Sequence, residues 1–223
     1  MPGPIVQFPR FISRIGLASL IAALTLNAAR LPDPALDASR QDRKTETIVF
    51  AGGCFWGVEA VFDAVKGVTE AVSGYAGGSK ANAHYEIVST GTTGHAESVQ
   101  VTYDPSQISF GQLLKVYFEV AHDPTELNRQ GPDHGTQYRS EIFYTSEEQK
   151  RVAEAYIRQL NAANAFPRPI VTKVAPLQAF YRAEDYHQHF VARNPHQPYV
   201  AQNDLPKLAK LRQELPELTK GGK

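Results

Sequence analysis

The sequence is poor in cysteine: Cys54 is the only one among 223 residues. Within this chain a single thiol excludes an intramolecular disulfide framework, a multi-cysteine zinc site and a CxxC redox pair. The chain also lacks an excess of charge, because 23 lysines and arginines balance 23 aspartates and glutamates. A balanced chain has no overall field that attracts nucleic acid, an anionic membrane or an acidic substrate. We therefore expect no nucleic-acid partner.

Long hydrophobic runs are lacking as well, apart from residues 15–26. That run follows Arg10 and Arg14 in a segment without acidic residues, and small residues follow it. It is too short to span a bilayer comfortably as a permanent helix, so we expect no stable membrane insertion. The pattern predicts a secretory signal peptide over residues 1–29, with export to the periplasm or another extracytoplasmic space. The alternatives are an organellar transit peptide and an amphipathic helix on a cytoplasmic protein.

The remainder of the chain changes character near residue 45. Residues 30–44 are rich in Pro, Ala and Asp, lack apolar periodicity and predict a linker. The overall composition of 42% hydrophobic residues supplies enough apolar surface for a sizeable core. Residues 45–223 therefore predict one domain of the size of a catalytic domain, which we expect to act as a monomer.

Regular apolar patterns predict the elements of this domain. Alternation and short apolar runs bounded by turn residues predict strands at 47–50, 68–73, 98–103, 140–144 and 170–174. Helical spacing of apolar residues, with capping residues at several starts, predicts helices at 55–65, 109–121, 146–162 and 205–215. The order of these elements favours an α+β fold, a two-layer sandwich of ferredoxin-like βαβ units with a mixed sheet and extra peripheral helices.

The segment from Gly52 to Gly57 carries the most distinctive chemistry. It reads GGCFWG and places Cys54 where a predicted strand ends and a predicted helix begins. Unpaired N–H groups and the helix dipole at such a position favour a thiolate, which predicts a nucleophile. Phe55 and Trp56 form either an apolar cup for a small side chain or part of the helix face that packs in the core. Without its neighbours, a lone cysteine is more often an inert core residue.

The sequence resembles the type A peptide methionine sulfoxide reductases, and it is similar to a single-cysteine member. The resemblance extends over nearly all of residues 49–215. It rests on these segments: GCFWG at 53–57, GYAGG at 74–78, HY at 84–85, GHAE at 94–97, YDP at 103–105, HDPT at 122–125, GPDHGTQYR at 131–139, AEDYHQ at 183–188 and NP at 194–195.

The resemblance implies that Cys54 is the nucleophile and that Glu97, Tyr85 and Tyr138 surround the sulfoxide oxygen. A sulfoxide sulfur is a poor electrophile until its oxygen is protonated or strongly hydrogen-bonded, so the thiol needs an acid near its target. A carboxyl group held neutral by an apolar pocket provides that acid. Without the resemblance, Glu97 reads as a solvated edge carboxylate, and the two tyrosines as residues at the boundary of the core.

The resemblance also implies that Phe55 and Trp56 hold the substrate methyl group, and that Asp133 supports the pocket or contacts the substrate backbone. Read alone, Asp133 is a turn residue. The two long loops at 74–94 and 123–138 are the segments where we expect substrate. The seven histidines lack metal-ligand spacing on a common helix face, so we expect neither a metal nor a bound cofactor.

The chain departs from many relatives because it has no resolving cysteine. Ser89 and Val200 stand in regions where some relatives carry one. The reductant is therefore expected to be an external thiol: thioredoxin, a glutaredoxin or glutathione system, or dithiothreitol in vitro. The expected partners are oxidised proteins or peptides and a protein that supplies the thiol.

The predicted reaction is the reduction of methionine-S-sulfoxide, in proteins, in peptides or as the free amino acid, through a sulfenic acid at Cys54. Two other functions remain open. The first is a one-cysteine thiol peroxidase, although no peroxide pocket built with Arg or Thr is evident beside Cys54. The second is a noncatalytic redox sensor or binding module, which would consume thiol stoichiometrically.

Overall fold

The structure, a computed structural model, describes residues 1, 3, 30–38 and 45–221. The predicted signal peptide at 1–29 therefore lies outside the described residues, apart from positions 1 and 3. Within the described ranges, no helix combines the length and the apolar character needed to cross a membrane.

Over the described residues 45–221, eight strands and six α-helices form the domain. The strands are β1 (Glu46–Gly52), β2 (Val68–Ala76), β3 (Ala96–Tyr103), β4 (Arg129–Gln130), β5 (Asp133–His134), β6 (Ser140–Tyr144), β7 (Lys173–Pro176) and β8 (Phe180–Arg182). The helices are α1 (Phe55–Asp63), α2 (Tyr85–Val88), α3 (Phe110–Val116), α4 (Glu147–Ala162), α5 (Phe190–Arg193) and α6 (Leu205–Glu214).

Six of the strands form one mixed sheet in the order β7-β6-β1-β3-β2-β8, and β4 pairs with β5 in a separate hairpin. The four central strands β6, β1, β3 and β2 are antiparallel to one another, whereas β7 runs parallel to β6. The chain order β1-α1-β2-β3-α3-β6 with the spatial order β6-β1-β3-β2 is that of a split βαβ, ferredoxin-like unit. The predicted α+β class with a mixed sheet and peripheral helices is confirmed.

Helix α1 lies on the central strands because its apolar residues recur at helical spacing. Phe55, Val58, Val61 and Phe62 are all buried, and the ring of Phe62 stacks on that of Phe50 in β1 with centroids 4.9 Å apart. The helix ends two residues earlier than predicted, at Asp63. The reason is tertiary, since the backbone of residue 65 pairs with that of residue 219 in an isolated bridge.

Helix α3 starts at a complete capping box. The Ser109 hydroxyl accepts a hydrogen bond from the Gln112 N–H at 3.1 Å, and the Gln112 side chain accepts one from the Ser109 N–H at 3.0 Å. The predicted helix over 109–121 is α-helical to residue 116 and continues as a π-helical turn over Tyr117–Ala121. It ends there because His122 adopts an extended conformation.

The last predicted strand, 170–174, is shifted: β7 begins at residue 173. The N–H groups of the first predicted residues bond elsewhere, that of Ile170 to Asn161 Oδ1 at 3.1 Å and that of Val171 to the Pro124 carbonyl at 2.8 Å. These groups are thus unavailable to the sheet. The three-residue strand β8 was not predicted.

Residues 30–38, which we call the N-terminal strap, pack against α3 and α4. Leu31 is buried in the core, and its N–H donates to Glu119 at 3.3 Å. Asp37 accepts a hydrogen bond from the Gly111 N–H at 2.7 Å, in the first turn of α3. The composition of this segment, which predicts a linker, contains no pattern that indicates such packing.

Candidate active site

Cys54 occupies the tight turn between β1 and α1. It immediately precedes the helix, and its own side chain makes no capping hydrogen bond. Gly53 before it has φ +92°, and a Cβ there would lie 2.5 Å from the Gln130 side chain. Only glycine therefore fits this turn, because both the backbone angle and the neighbouring side chain exclude a Cβ. Cys54 itself is 9% exposed.

The environment of Cys54 favours the thiol over the thiolate. Burial raises the pKa of Cys54 well above its usual value, and the carboxylates of Glu97 and Asp204 raise it further. The Trp56 backbone N–H lowers the pKa of Cys54, and this influence is outweighed. The prediction that the helix terminus makes Cys54 a thiolate is therefore wrong for the substrate-free protein.

Glu97 lies close to this turn as a buried acid. Its Oε2 accepts a hydrogen bond from the Phe55 N–H at 3.1 Å, and the residue is 2% exposed. Burial, with a contribution from Asp133, raises the pKa of Glu97 from 4.5 to about 8. At neutral pH the carboxyl group is mostly protonated. The alternative of a solvated edge carboxylate is wrong, because β3 lies between β1 and β2 in the middle of the sheet.

Tyr85 and Tyr138 come to the same place from the two long loops. Tyr85 begins α2, and Tyr138 ends the 3₁₀ turn Thr136–Tyr138. Burial raises the pKa of Tyr85 to about 12 and raises that of Tyr138 as well. Glu97 and Cys54 contribute to both shifts. Both phenols therefore keep their protons at neutral pH and are hydrogen-bond donors beside the thiol and the acid.

Asp133 is tied to a residue that the sequence analysis missed. The Tyr199 hydroxyl donates a hydrogen bond to Asp133 Oδ2, while the Tyr199 ring meets Trp56 edge-on with centroids 5.9 Å apart. Burial raises the pKa of Asp133. Tyr199 thus joins the acidic side of the site to its aromatic side. Its only sequence cue is its position in the region where some relatives carry a resolving cysteine.

Phe55 and Trp56 differ in how they are held. Phe55 is 1% exposed, and its ring centroid lies 4.9 Å from that of His187. Trp56 is half-buried; it stacks on Phe190 at 3.8 Å and donates from Nε1 to His187 Nδ1 at 3.0 Å. The indole is therefore fixed by a ring on one side and a hydrogen bond on its edge. His187 belongs to the AEDYHQ segment, but the sequence did not indicate this contact.

One group of three possible metal ligands lies together, at Glu59, Asp63 and His189, with ligand atoms within 4.8 Å of one another. The His189 N–H donates to Glu59 at 3.0 Å, and its ring pairs with Asp63 at 2.9 Å. These bonds engage the donor atoms without an ion. The same three residues line a cavity of about 360 Å³ that Trp56 also borders.

The arrangement at Cys54 is suited to attack by sulfur on a target that receives a proton at the same time. Cys54 and Glu97 both raise the pKa of the two phenols, Tyr85 and Tyr138, and a hydrogen bond holds the indole of Trp56, two residues after Cys54. Acid assistance of this kind matters most when an oxygen atom of the target accepts a proton or leaves.

Comparison with known proteins identifies the family of the chain. The sequence model of the family "Peptide methionine sulfoxide reductase" matches residues 46–218. The chain is 60% identical over 174 residues, 78% of this chain and 89% of the relative, to "Peptide methionine sulfoxide reductase MsrA 2" of Mesorhizobium japonicum. It is 53% identical over 205 residues, 90% and 96% of the two chains, to the protein of the same name from Synechocystis.

Two solved structures are similar in fold. Reduced Mxr1 from Saccharomyces cerevisiae matches with a TM-score of 0.62 and 34% identity, covering 72% of this chain and 91% of that one. Methionine sulfoxide reductase A of Corynebacterium diphtheriae matches with a TM-score of 0.61 and 37% identity, covering 77% and 87%. The match of the family over residues 46–218 and the 60% identity to a named relative lead to one assignment: the chain belongs to the peptide methionine sulfoxide reductase family of oxidoreductases, type A.

Proposed function

We propose that this chain reduces methionine-S-sulfoxide to methionine, in proteins, in peptides and as the free amino acid, with Cys54 as the nucleophile. Family membership supports the coarse reaction, the reduction of methionine sulfoxide. One observation carries the assignment of roles: the buried, mostly protonated Glu97 accepts a hydrogen bond from the backbone of the residue next to Cys54. An acid and a thiol are thereby held at one helix end.

In the first step the sulfoxide oxygen meets Glu97, Tyr85 and Tyr138, and the methyl group lies against Trp56, with Phe55 behind. Glu97 gives its proton to the oxygen, and the Cys54 sulfur attacks the sulfoxide sulfur. The attack forms an S–S bond between Cys54 and the substrate sulfur. This bond and the substrate S–O bond then break as the hydroxyl group passes to the Cys54 sulfur. Methionine leaves, Cys54 is a sulfenic acid, and the thiol proton restores Glu97. The sulfur of methionine is reduced and that of Cys54 is oxidised by two electrons.

The second step regenerates the thiol. An external thiol attacks the sulfenic acid, water leaves and a mixed disulfide forms; a second external thiol then releases Cys54 as a thiol. The chain contains no other cysteine that could attack the sulfenic acid. Val200, which stands in a region where some relatives carry a resolving cysteine, is fully buried next to Tyr199. Thioredoxin, or a glutaredoxin or glutathione system, supplies these thiols, and dithiothreitol replaces them in vitro.

Selectivity for the S epimer follows from the separation of the two sides of the site. Trp56 offers an apolar, half-buried face to the methyl group, and the proton donors lie around Glu97. A sulfoxide of the opposite configuration, with its peptide chain in the same place, exchanges methyl and oxygen and loses both sets of contacts. Asp133, held by Tyr199, supports the pocket or contacts the substrate backbone.

Reduction of a peptide that contains racemic methionine sulfoxide, with dithiothreitol and resolved by epimer, tests the proposal. We expect loss of the S epimer alone, and none with Cys54→Ser. Loss of neither epimer would contradict the proposal and favour a sensor. Consumption of hydrogen peroxide faster than of sulfoxide would favour a thiol peroxidase, and one equivalent of thiol consumed per enzyme would favour a stoichiometric sensor.

We also propose that residues 1–29 direct export, on the basis of the sequence pattern alone. The mass of the protein from a periplasmic fraction tests this: a mature chain that begins near residue 30 is expected. A full-length chain confined to the cytoplasm would contradict it.

A further inference from the structure

The side chain of Gln137 joins the two long loops that supply Tyr85 and Tyr138. Gln137 directly precedes Tyr138 and is 4% exposed. Its Nε2 donates a hydrogen bond to the Ser89 carbonyl at 3.0 Å. Ser89 follows α2, the helix that Tyr85 begins, and its own N–H donates to the Tyr85 carbonyl at 2.9 Å. One peptide bond and two hydrogen bonds therefore lead from Tyr138 to Tyr85.

The amide of Gln137 lies in a slot between the backbones of the two loops. A Cβ on Gly91 would lie 2.9 Å from Gln137 Oε1, and a Cβ on Gly135 would lie 2.2 Å from the same atom. Gly91 has φ +75° and Gly135 has φ +132°, and both angles favour glycine. One glycine of each loop thus leaves the space that the amide fills.

The same slot leaves the amide oxygen without a hydrogen bond. Within the part of the chain that the structure describes, nothing donates to Gln137 Oε1, although this atom is buried. A buried acceptor without a partner costs free energy, and an apolar side chain of similar length avoids that cost. Packing alone therefore does not require a glutamine at this position. What the amide adds is the directed hydrogen bond to Ser89, at the end of the helix that Tyr85 begins.

Two neighbours of Gln137 also form hydrogen bonds between these loops. The Thr136 hydroxyl donates to the Gly91 carbonyl at 2.6 Å, and Arg139 Nη2 donates to the Gly94 carbonyl at 3.0 Å. Thr136 is exposed and Arg139 is partly exposed, whereas Gln137 is buried. Because water competes least with a buried hydrogen bond, the bond of Gln137 holds the two loops together most firmly.

We propose that Gln137 is a positioning residue of the reductase, which holds Tyr85 and Tyr138 at a fixed separation so that both phenols donate to one sulfoxide oxygen. The inference rests on the proposed roles of these phenols. Preorganised donors stabilise the charge that develops on an oxygen without a cost of reorganisation at the moment of reaction. Loops that were free to move apart would meet that cost in every turnover, so Gln137 raises the rate without contacting the substrate.

Single-turnover reduction of a methionine sulfoxide peptide by the whole protein tests the proposal. Gln137→Met keeps the length of the side chain and removes the hydrogen bond to Ser89. We expect reduction at saturating peptide to slow about tenfold, with the half-saturating peptide concentration nearly unchanged. In a chain that already carries Tyr85→Phe and Tyr138→Phe, the same substitution is expected to change the rate less than about twofold, because no phenol remains to be positioned.

The outcomes of this comparison separate the positioning role from the proposed function. Equal slowing by Gln137→Met in both backgrounds would overturn the positioning role, because it would indicate a general disturbance of the site. A wild-type rate for Gln137→Met with both phenols present would also overturn it, and would leave the proposed function intact. A wild-type rate for the chain with both phenylalanines would contradict the proposed roles of the phenols, and with them the role of Gln137.

Gln137→Glu gives a second test that does not depend on how the methionine variant folds. A protonated glutamic acid donates to the Ser89 carbonyl, whereas a carboxylate is repelled by that carbonyl. The rate relative to the wild type is therefore expected to be near one at about pH 5 and to fall about tenfold by about pH 9. A relative rate that stays constant over this range would contradict the positioning role.

Gln149→Met is the matched control for the loss of a buried glutamine. Gln149 is 3% exposed, and its Nε2 donates to the Thr47 carbonyl at 2.9 Å. It lies in α4, which carries no residue of the proposed site. We expect a lower melting temperature, as in Gln137→Met, and unchanged reduction of the peptide. Slowing by Gln149→Met equal to that by Gln137→Met would overturn the proposal.

Discussion

The two strand-to-helix connections of the ferredoxin-like unit, β1 to α1 and β3 to α3, begin their helices in opposite ways. At α3, Ser109 and Gln112 cap each other, and Asp37 from the N-terminal strap accepts the Gly111 N–H. At α1, no side chain caps the helix in this manner. The Phe55 N–H donates to Glu97, and the Trp56 N–H interacts with Cys54.

Every helix start leaves N–H groups without partners inside the helix, and the two connections satisfy that need with different groups. At α3 the acceptors are side chains whose only task is structural. At α1 the acceptor of the Phe55 N–H is the acid of the proposed reaction, next to the residue that carries the thiol. The same geometric requirement thus stabilises the fold at one end of the sheet and positions reacting groups at the other.

The largest expected effect comes from removing the reacting atom at α1. Cys54→Ser is expected to lower single-turnover reduction of a methionine sulfoxide peptide by at least about a thousandfold, because a hydroxyl is a far weaker nucleophile. The melting temperature should change little, since the replacement is nearly isosteric. Wild-type turnover in this variant would show that Cys54 at the start of α1 is not the nucleophile, so that the two helix starts would not differ in this respect.

The second largest effect on activity is expected from Glu97, which accepts the Phe55 N–H at the start of α1. Glu97→Gln keeps a side chain able to accept the Phe55 N–H but removes the acid, so single-turnover reduction should slow by about 10²–10⁴-fold. Glu59→Gln is the matched control: Glu59 is also buried in α1, but its partners are Ser73 and His189. Equal slowing in both variants would indicate a general disturbance of α1 instead of a lost acid.

The pH dependence of the unfolding free energy gives a further test of the buried acid at the start of α1. Glu97 has a pKa of about 8 in the folded protein instead of 4.5, so the folded state holds a proton that the unfolded chain releases. Its stabilising contribution is complete below about pH 4.5 and is lost as the pH rises through about 8. We expect Glu97→Gln to remove on the order of 2–4 kcal/mol of the wild-type decline in unfolding free energy between these limits. If urea titrations gave the same decline for the wild type and for Glu97→Gln, the assignment of Glu97 as a buried acid would be contradicted.

The smallest expected effect lies at α3. Ser109→Ala removes the capping hydroxyl and should cost about 1 kcal/mol of unfolding free energy, with sulfoxide reduction unchanged. Ser79→Ala is a suitable control, because Ser79 precedes a 3₁₀ turn without making a side-chain cap bond. Slower reduction with Ser109→Ala would show that the α3 start also contributes to the reaction.

Local patterns predict the elements that carry Cys54 well. The apolar spacing of Val58, Val61 and Phe62 predicts α1, and the two glycines before Cys54 predict the turn, because both features depend on neighbours in sequence. The shifted strand β7 and the unpredicted β8 depend on partners elsewhere. Asn161 and a distant carbonyl take the N–H groups of the residues before β7, and a three-residue strand shows too little alternation to detect.

Local sequence patterns predict the site less well than they predict the helices and strands. The resemblance indicates Glu97, but its burial depends on the strands on both sides of β3. Tyr199 and Asp204 come from the C-terminal segment, and nothing in their immediate sequence indicates that they approach Cys54. The expectation of a thiolate failed for the same reason: the helix terminus is visible in the sequence, whereas the burial of Cys54 and the carboxylates around it, which raise its pKa, are not.

The packing of Trp56 has a spectroscopic consequence. Trp56 is the only tryptophan in the sequence and lies two residues after Cys54. Its indole is held by the ring of Phe190 and by a hydrogen bond to His187. Emission excited at the long-wavelength edge of the indole absorption, where the ten tyrosines absorb little, therefore originates in a single indole beside the proposed nucleophile. Entry of a sulfoxide, oxidation of Cys54 and its later reduction each change the surroundings of this fluorophore. Stopped-flow emission can thus follow oxygen transfer and thiol regeneration as separate phases, without an attached dye.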